Sequence, residues 1–215
     1  MIGSSTDRCK PSVTMMRTHS NTKREAILDG ARRVFLAHGY SGTSMEAIAE
    51  AAPVAKPTLY SYFGNKHDLF AAVVVGQCDT LFSTLSEASL KHPDPMDGLR
   101  AIAEEFVALI YSPESLALYR LLIAEQAHFP ELGEQVYRAS AEPMIEMLAR
   151  YLEKLGPRGL IHIEDAKVSS ELFLGMLHGV SHFRCLMGLQ AGLSEQERRQ
   201  LVDGAVSLFI RGHQA

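Results

Sequence analysis

Apolar residues recur every three or four positions along most of the chain after residue 20, and no segment alternates apolar and polar residues as a strand would. The first helix is predicted over about 22–38, and Gly39 is placed to end it in a left-handed conformation. Its apolar face consists of Ile27, Ala31, Val34 and Phe35. The pattern predicts an all-α fold.

Two short helices follow, with a break of three or four residues between them. Thr43 or Ser44 caps the first one, and Glu46 is placed to complete a capping box with Thr43. Pro53 disfavours helical geometry in the residue before it and so ends this helix, whereas the second is predicted over about 56–62. Small or apolar residues lie where two crossing helices must touch, and this spacing indicates a helix-turn-helix.

The rest of the chain continues the helical period between breaks that contain proline or glycine. The further helices are predicted over about 66–90, 96–111, 114–127, 131–155, 164–190 and 195–211. About nine helices result, arranged as a three-helix head fused to a larger helical body. The predicted division is a flexible N-terminal arm (1–20), a helix-turn-helix domain (21–67) and the body (68–215).

Charge is distributed unevenly over this architecture. The chain has a net charge of −4, yet its first 70 residues carry nine Lys or Arg against six Asp or Glu, and the remainder carries twelve against nineteen. A basic head on an acidic body suits a protein that contacts phosphates with one end only.

Composition excludes several other classes of protein. No run approaches the roughly 18 apolar residues of a membrane span, and no apolar stretch near the N-terminus forms a signal peptide. We therefore expect a cytoplasmic protein that does not bind membranes. The cysteines at 9, 78 and 185 are odd in number and widely spaced, which favours neither a disulfide framework nor a zinc site.

The second short helix carries the candidate chemistry. Within two turns it presents side chains that can contact phosphates or base edges, namely Lys56, Thr58, Tyr60, Ser61 and Tyr62. Leu59 and Phe63, four positions apart, are expected to keep the opposite face in the core. Spacing alone leaves a second interpretation open, in which these aromatic residues form the core of a small helical domain.

Three consecutive segments resemble the TetR/AcrR family of transcriptional regulators. Its first helix is similar to REAILDGA at 24–31 and VFLAHGY at 34–40, and its second to GTSMEAIAEAA at 42–52. Its recognition helix and the start of its fourth helix are similar to KPTLYSYFGNKHDLF at 56–70. This block of about 50 residues is highly specific.

The resemblance assigns roles to the head position by position. It implies that Lys56, Pro57 and Ser61 approach base edges. The residues it implies for phosphate contacts are Thr43, Ser44, Thr58, Tyr60, Tyr62 and Lys66. The chain departs from the family at Pro53, where a turn glycine is usual, and at Ala55, where a capping Ser or Thr is usual. A missing cap typically costs about 1 kcal/mol of helix stability.

The body resembles the AefR-like branch of the same family in LYRLL at 118–122 and FPEL at 129–132. This resemblance implies an effector pocket among the central helices and dimerisation through the last two long helices. The predicted ligand-binding residues are Phe106, Ile110, Tyr119, Met144, Met147, Met176 and His178. Methionines at helical spacing more often belong to an ordinary core, so that alternative stays open.

The last two helices carry a candidate dimer face. Phe173, Leu177, Val180 and Phe183 form its apolar stripe, and Gly175, Gly179 and Ser181 are small enough for close helix approach. The alternative is that the stripe serves only the interior of the body. His178 and His182, four apart, have the spacing of metal ligands, but no third ligand is apparent and we expect no metal or cofactor.

These features predict a ligand-responsive regulator, with repression as the expected mode. It would bind a palindromic operator in double-stranded DNA as a homodimer and be released by a small apolar effector. One alternative is a small α-helical enzyme with a helix-turn-helix-like appendage, although no nucleophile–base pair, phosphate-binding loop or HExxH motif is present. Another is a family member that activates transcription without a ligand.

Overall fold

The computed structural model describes residues 13–78, 82, 84, 94–155 and 161–214, with side chains from residue 22 onward. The helices are α1 (Val13–His38), α2 (Met45–Ala51), α3 (Lys56–Tyr62), α4 (Lys66–Gly76), α5 (Pro95–Ile110), α6 (Pro113–Glu125), α7 (Pro130–Val136), α8 (Glu142–Leu155), α9 (Ala166–Leu186) and α10 (Glu195–Gly212). A π-helical turn (Tyr137–Ala141) joins α7 to α8. With that run counted as one helix, the described residues form nine helices and no strand, which confirms the predicted all-α fold.

Two predicted boundaries differ from the observed ones. Helix α1 begins at Val13, so residues 13–20 are helical and do not belong to a flexible arm. No proline or glycine lies between Pro11 and Gly30, so nothing in the sequence interrupts the helical hydrogen bonds there. Helix α4 ends at Gly76, where the predicted helix continues to 90. The arm up to residue 12, the continuation through 85–90 and the glycine-rich break at 156–159 lie outside the described residues.

Helix α9 is kinked, whereas the sequence predicts an uninterrupted helix. Gly179 has a φ of 56° and a ψ of −174°, a conformation that is costly for any residue with a Cβ. The hydroxyl of Tyr111 donates a hydrogen bond to the carbonyl of the preceding residue, His178. A side chain from another element thus satisfies a backbone group next to the kink.

Two hydrophobic clusters divide the core, and their boundary is not the predicted domain boundary. The head cluster contains the apolar faces of α1 to α4, but also Leu118 from α6 and Leu132 and Val136 from α7. The body cluster is built from α5, α8, α9 and α10. The head therefore shares its core with α6 and α7, which pack directly against it.

Candidate nucleic-acid interface and apolar cavity

The N-terminus of α2 is held by two hydroxyl groups with different roles. Ser44 is the cap, and its side chain accepts a hydrogen bond from the backbone N–H of Ala47 at 3.1 Å. Thr43 is buried, and its hydroxyl donates to the carbonyl of Gly39 at 2.6 Å. The predicted capping box with Thr43 does not form. Because its hydroxyl is engaged inside the head, the Thr43 side chain is also not free for a phosphate.

Helix α3 presents one face to solvent and the other to the core. Leu59 is completely buried and Phe63, its C-cap, is nearly so. Lys56, Pro57, Tyr60 and Ser61 are exposed, while Thr58 and Tyr62 are half-buried. The alternative in which all three aromatic residues form core therefore holds for Phe63 but not for Tyr60, whose ring is 43% exposed.

Lys56 has an ion-pair partner that was not predicted from the sequence. Its ammonium forms an ion pair with Glu46 of α2 and lies 6.0 Å from the centroid of the Tyr60 ring. The ion pair raises the pKa of Lys56 and lowers that of Glu46. Both side chains are exposed, so the pair is weak and a phosphate can compete with Glu46 for the lysine.

The two departures from the family pattern meet in the turn before α3. Pro53 has a φ of 21°, far from the value near −65° that its ring favours, so this turn is strained. Ala55 occupies the N-cap position in an extended conformation, and no side chain caps the helix. The backbone N–H of Val54 still bonds to the carbonyl of Ala49 at 3.1 Å and ties the turn to α2.

We expect Ala55→Ser to stabilise the protein by about 1 kcal/mol, because a serine at this extended position can accept a hydrogen bond from the first turn of α3. Urea denaturation at neutral pH measures this gain. The control is Ala37→Ser at an exposed position inside α1, which should lower stability by a few tenths of a kcal/mol, roughly the difference in helix propensity. Equal effects of the two substitutions would contradict the prediction.

Lys66, the other predicted phosphate ligand, points into the head. Its ammonium donates to the carbonyls of Tyr40 and Thr43 at 2.9 and 3.0 Å, and lies 4.3 Å from the centroid of the Tyr40 ring. Its burial lowers its pKa. Lys66 thus joins the start of α4 to the loop before α2.

A largely apolar cavity of about 410 Å³ lies in the body between α4, α5, α6, the α7–α8 run and α9. Of the predicted ligand-binding residues, those that line it are Phe106, Ile110, Tyr119, Met144 and His178. Met147 and Met176 do not line it and pack instead against the body core. Both are partly buried and lie on helices that also contribute residues to the lining.

Other parts of the lining were not predicted from the sequence. They include Val74, Gln77 and Cys78 at the end of α4, Leu118 and Leu122 on α6, Val136, Tyr137 and Ser140 in the α7–α8 run, and Glu171 and Gly175 on α9. Gly175 is predicted to allow close helix packing, but nothing lies within 4 Å of a Cβ built there. The spacing of Leu118 and Leu122, four residues apart on α6, gave no sign of a cavity, because core and cavity walls have the same apolar pattern.

Four aromatic side chains gather beside the α9 kink. The His182 ring lies with its centroid 4.9 Å from that of His178, 5.4 Å from that of Tyr119 and 5.5 Å from that of Tyr111. His182 is 5% exposed and its Nε2 has no hydrogen-bond partner among the described residues. The described residues hold no group of three or more potential metal ligands, so the two histidines gain no third ligand.

Burial, and secondarily the proximity of His178, lowers the pKa of His182 from 6.5 to about 4. The unfolded chain therefore binds a proton at a higher pH than the native protein does, and stability falls as the pH decreases from about 6.5 to 4. We expect His182 to account for about 2 kcal/mol of this loss by pH 4.5. Urea midpoints at pH 7.5 and 4.5 should differ less for His182→Gln than for the wild type. His38→Gln, at an exposed position, should show the same difference between the two urea midpoints as the wild type. If His182→Gln also shows the wild-type difference, His182 is not the source of the pH dependence.

The predicted dimer stripe divides into an inner and an outer part. Phe173 and Leu177 are completely buried in the body, whereas Val180 and Phe183 are 75% and 63% exposed. The exposed stripe continues along the last two helices as Val168, Leu172, Met187 and Leu208. We call these six exposed residues the α9–α10 face. An exposed apolar area of this extent typically marks an interaction surface.

Among the described residues no single helix is long and apolar enough to cross a membrane, although α5 and α6 pass the length and composition test as a pair bent by 63°.

Comparison with known proteins agrees with this architecture. Residues 27–73 match the family model of bacterial regulatory proteins of the tetR family, and residues 97–215 match that of the C-terminal domain of AefR-like transcriptional repressors. The second match covers more than half of the chain.

Individual relatives point the same way. A TetR-family transcriptional regulator from Mesorhizobium loti superposes with a TM-score of 0.79 at 30% identity, covering 91% of this chain and 98% of that one. The flavonoid-responsive regulator FrrA superposes with a TM-score of 0.70 at 29% identity, covering 90% and 98%. The transcriptional activator FasR of Mycolicibacterium smegmatis is 35% identical over 94 residues, which is 44% of this chain and 43% of FasR. The chain therefore belongs to the TetR family of bacterial transcriptional regulators, and its C-terminal domain is of the AefR-like type.

Proposed function

We propose that this protein is a ligand-responsive repressor that binds a palindromic operator as a homodimer and is released by a small apolar effector. One observation carries the proposal. Leu118 and Val136 line the cavity in the body and at the same time belong to the hydrophobic cluster of the head. A molecule that fills the cavity must press on side chains that support the DNA-binding helices.

The proposed DNA contacts come from the exposed side of the helix-turn-helix. They are Ser44, Lys56, Pro57, Thr58, Tyr60, Ser61 and Tyr62, and they omit Thr43 and Lys66, whose polar groups are engaged inside the head. Leu59 and Phe63 anchor α3 so that its polar face can enter a major groove. Release of Lys56 from Glu46 would accompany binding.

The proposed dimer forms through the α9–α10 face. Two copies related by a two-fold axis would cover Val180, Phe183 and the other exposed apolar residues of each other. Such a dimer would hold two heads against successive half-sites about 34–36 Å apart or a multiple of that distance. A palindromic operator is the matching DNA.

Helix α4 and helix α6 are proposed to couple effector binding in the cavity to the position of the DNA-binding heads. Helix α4 is about 16 Å long, with Lys66 fastened to the loop before α2 at one end and Val74 in the cavity wall at the other. At the end of α6, the carboxylate of Glu125 accepts hydrogen bonds from the N–H and the hydroxyl of Ser41, at 3.2 and 2.7 Å. Displacement of either helix would change the tilt and separation of the heads.

Footprinting of DNA from upstream of the gene is the test of this function. We expect protection of one palindrome that weakens steeply between 50 and 200 mM salt, because lysine–phosphate contacts release counterions. A panel of uncharged aromatic and aliphatic compounds is then added to the complex. Loss of protection with one of them supports a ligand-responsive repressor. Protection of no specific sequence would refute the proposal, and a panel in which compounds only tighten operator binding would contradict release by the effector.

We expect Glu125→Ala to weaken the coupling between effector and operator. Such couplings typically amount to 5- to 150-fold in affinity, and single positions along the route commonly contribute 0.5–2 kcal/mol, or roughly 2- to 30-fold. Operator affinity is measured with and without the most effective compound of the panel. Glu114→Ala, an exposed carboxylate at the other end of α6, is the matched control. If the compound changes operator affinity in both variants as much as in the wild type, the Glu125–Ser41 contact of α6 does not couple the effector to the operator.

A further inference from the structure

Among the described residues, the walls of the cavity carry no positive charge. The described lining contains no lysine and no arginine, and its one carboxylate, Glu171, is exposed on α9 and remains in contact with solvent. A ligand carboxylate or phosphate placed inside would lose its hydration without a counter-charge, at a cost of several kcal/mol. The walls therefore select against anions.

Two polar groups are available near the α9 end of the cavity. The Nδ1 atom of His178 lies 3.0 Å from the carbonyl of Leu174 and must carry the proton to donate to it, which leaves Nε2 as an acceptor. Burial lowers the pKa of His178, so the ring is neutral at physiological pH. Burial raises the pKa of Tyr119, so its hydroxyl stays protonated and can donate a hydrogen bond.

His178 and Tyr119 belong to one polar corner. Both rings pack against the His182 ring, with centroid distances of 4.9 and 5.4 Å, and both residues line the cavity where α6 and α9 form its wall. The remaining lining is dominated by Phe106, Ile110, Leu118, Leu122, Met144 and Leu174. The volume of about 410 Å³ falls in the lower part of the range of roughly 300–1,000 Å³ for ligand pockets.

We infer that the effector is an uncharged, predominantly apolar molecule with a hydroxyl group, and that this hydroxyl donates to Nε2 of His178 and accepts from Tyr119. The inference rests on the proposed function, in that the cavity is taken as the effector site. It excludes fatty acids, acyl phosphates and other anions of similar size. Phenols and sterol-like alcohols have the required chemistry.

A matched set of three probes tests the class: trans-4-hydroxystilbene, trans-stilbene and trans-stilbene-4-carboxylate. They share one apolar skeleton and differ in a single group. Their dissociation constants are measured by fluorescence titration of the full-length protein at pH 7.5, without DNA. We expect the hydroxyl compound to bind roughly tenfold more tightly than stilbene and roughly 100-fold more tightly than the carboxylate.

Two variants locate the hydroxyl. In Tyr119→Phe and in His178→Phe the preference for hydroxystilbene over stilbene should fall to less than about threefold. His38→Phe, at an exposed position of the head, should keep the full preference. Circular dichroism shows whether each variant folds. If His178→Phe does not fold, the test uses Tyr119→Phe alone, which removes a single oxygen atom.

The outcomes separate this inference from the proposed function. Equal or tighter binding of the carboxylate, no binding of any probe, or an unchanged hydroxyl preference in the variants would overturn the inference. If hydroxystilbene binds as expected but leaves operator affinity unchanged, the inference about the cavity stands and the proposed coupling to DNA fails. If an anion releases the protein from the operator and does not compete with any of the three probes for binding, the proposed function is supported. The inference that the effector is an uncharged molecule in this cavity then fails.

Discussion

Replacing Lys56 and Tyr60 together by alanine should lower operator affinity by roughly 1,000-fold or more. Each phosphate or base contact is commonly worth about 1–3 kcal/mol, and a dimer loses four such contacts in this variant. Both side chains are exposed on α3, so the fold should not change. Footprinting and a fluorescence-anisotropy titration of the protected palindrome at two salt concentrations measure the loss.

The salt dependence distinguishes this effect from general damage. Loss of one lysine–phosphate contact in each head should reduce the slope of log affinity against log salt by about two for the dimer. Lys154→Ala is the control, because Lys154 is exposed on α8 at a distance from the head. Wild-type protection by the double variant would mean that α3 does not face the DNA as proposed.

The second large effect is expected at the α9–α10 face. Val180→Glu combined with Phe183→Glu should convert the dimer into a monomer of 23.7 kDa and abolish operator protection. The two-fold arrangement would bury four glutamates without partners, and each unpaired buried charge costs several kcal/mol. Sedimentation velocity at micromolar concentration measures the mass, and denaturation by urea shows that the monomer is folded.

A matched exposed position provides the comparison. Ile123 of α6 is 56% exposed and lies outside the α9–α10 face, so Ile123→Glu should leave the mass of the dimer unchanged. A wild type that sediments as a monomer would overturn the proposed assembly. If the double variant remains a dimer, a different surface joins the subunits.

Much of the fold follows from local chemistry that a sequence displays directly. Proline and glycine mark the helix ends after Ile110, Glu125 and Leu186, because these residues act on the backbone of their own neighbours. The exposed side of α3 was predictable for the same reason, since Leu59 and Phe63 share a face four residues apart. The family could also be predicted without the tertiary structure, because the resemblance is carried by consecutive residues.

Contacts between elements that are distant in the chain could not be predicted from the local sequence pattern. Lys66 looked like a phosphate ligand at a helix start, and only packing against the α1–α2 loop directs its ammonium to the carbonyls of Tyr40 and Thr43. Periodicity grouped Phe173 and Leu177 with Val180 and Phe183, yet the first pair is buried and the second exposed. The kink at Gly179 lies between the two pairs and changes the direction of the stripe.

The cavity likewise combines features that the local sequence predicts with features that depend on tertiary packing. Most helices, the family and the polar face of α3 could be predicted from the sequence, since propensity, capping and periodicity act within a few residues. The packing of the helices against one another places Met144 in the cavity wall and Met147 and Met176 against the core, and it makes Leu118 and Val136 part of both the cavity wall and the head cluster. A period of 3.6 residues states which side chains share a face, but the neighbour or void opposite that face depends on how all the helices pack together.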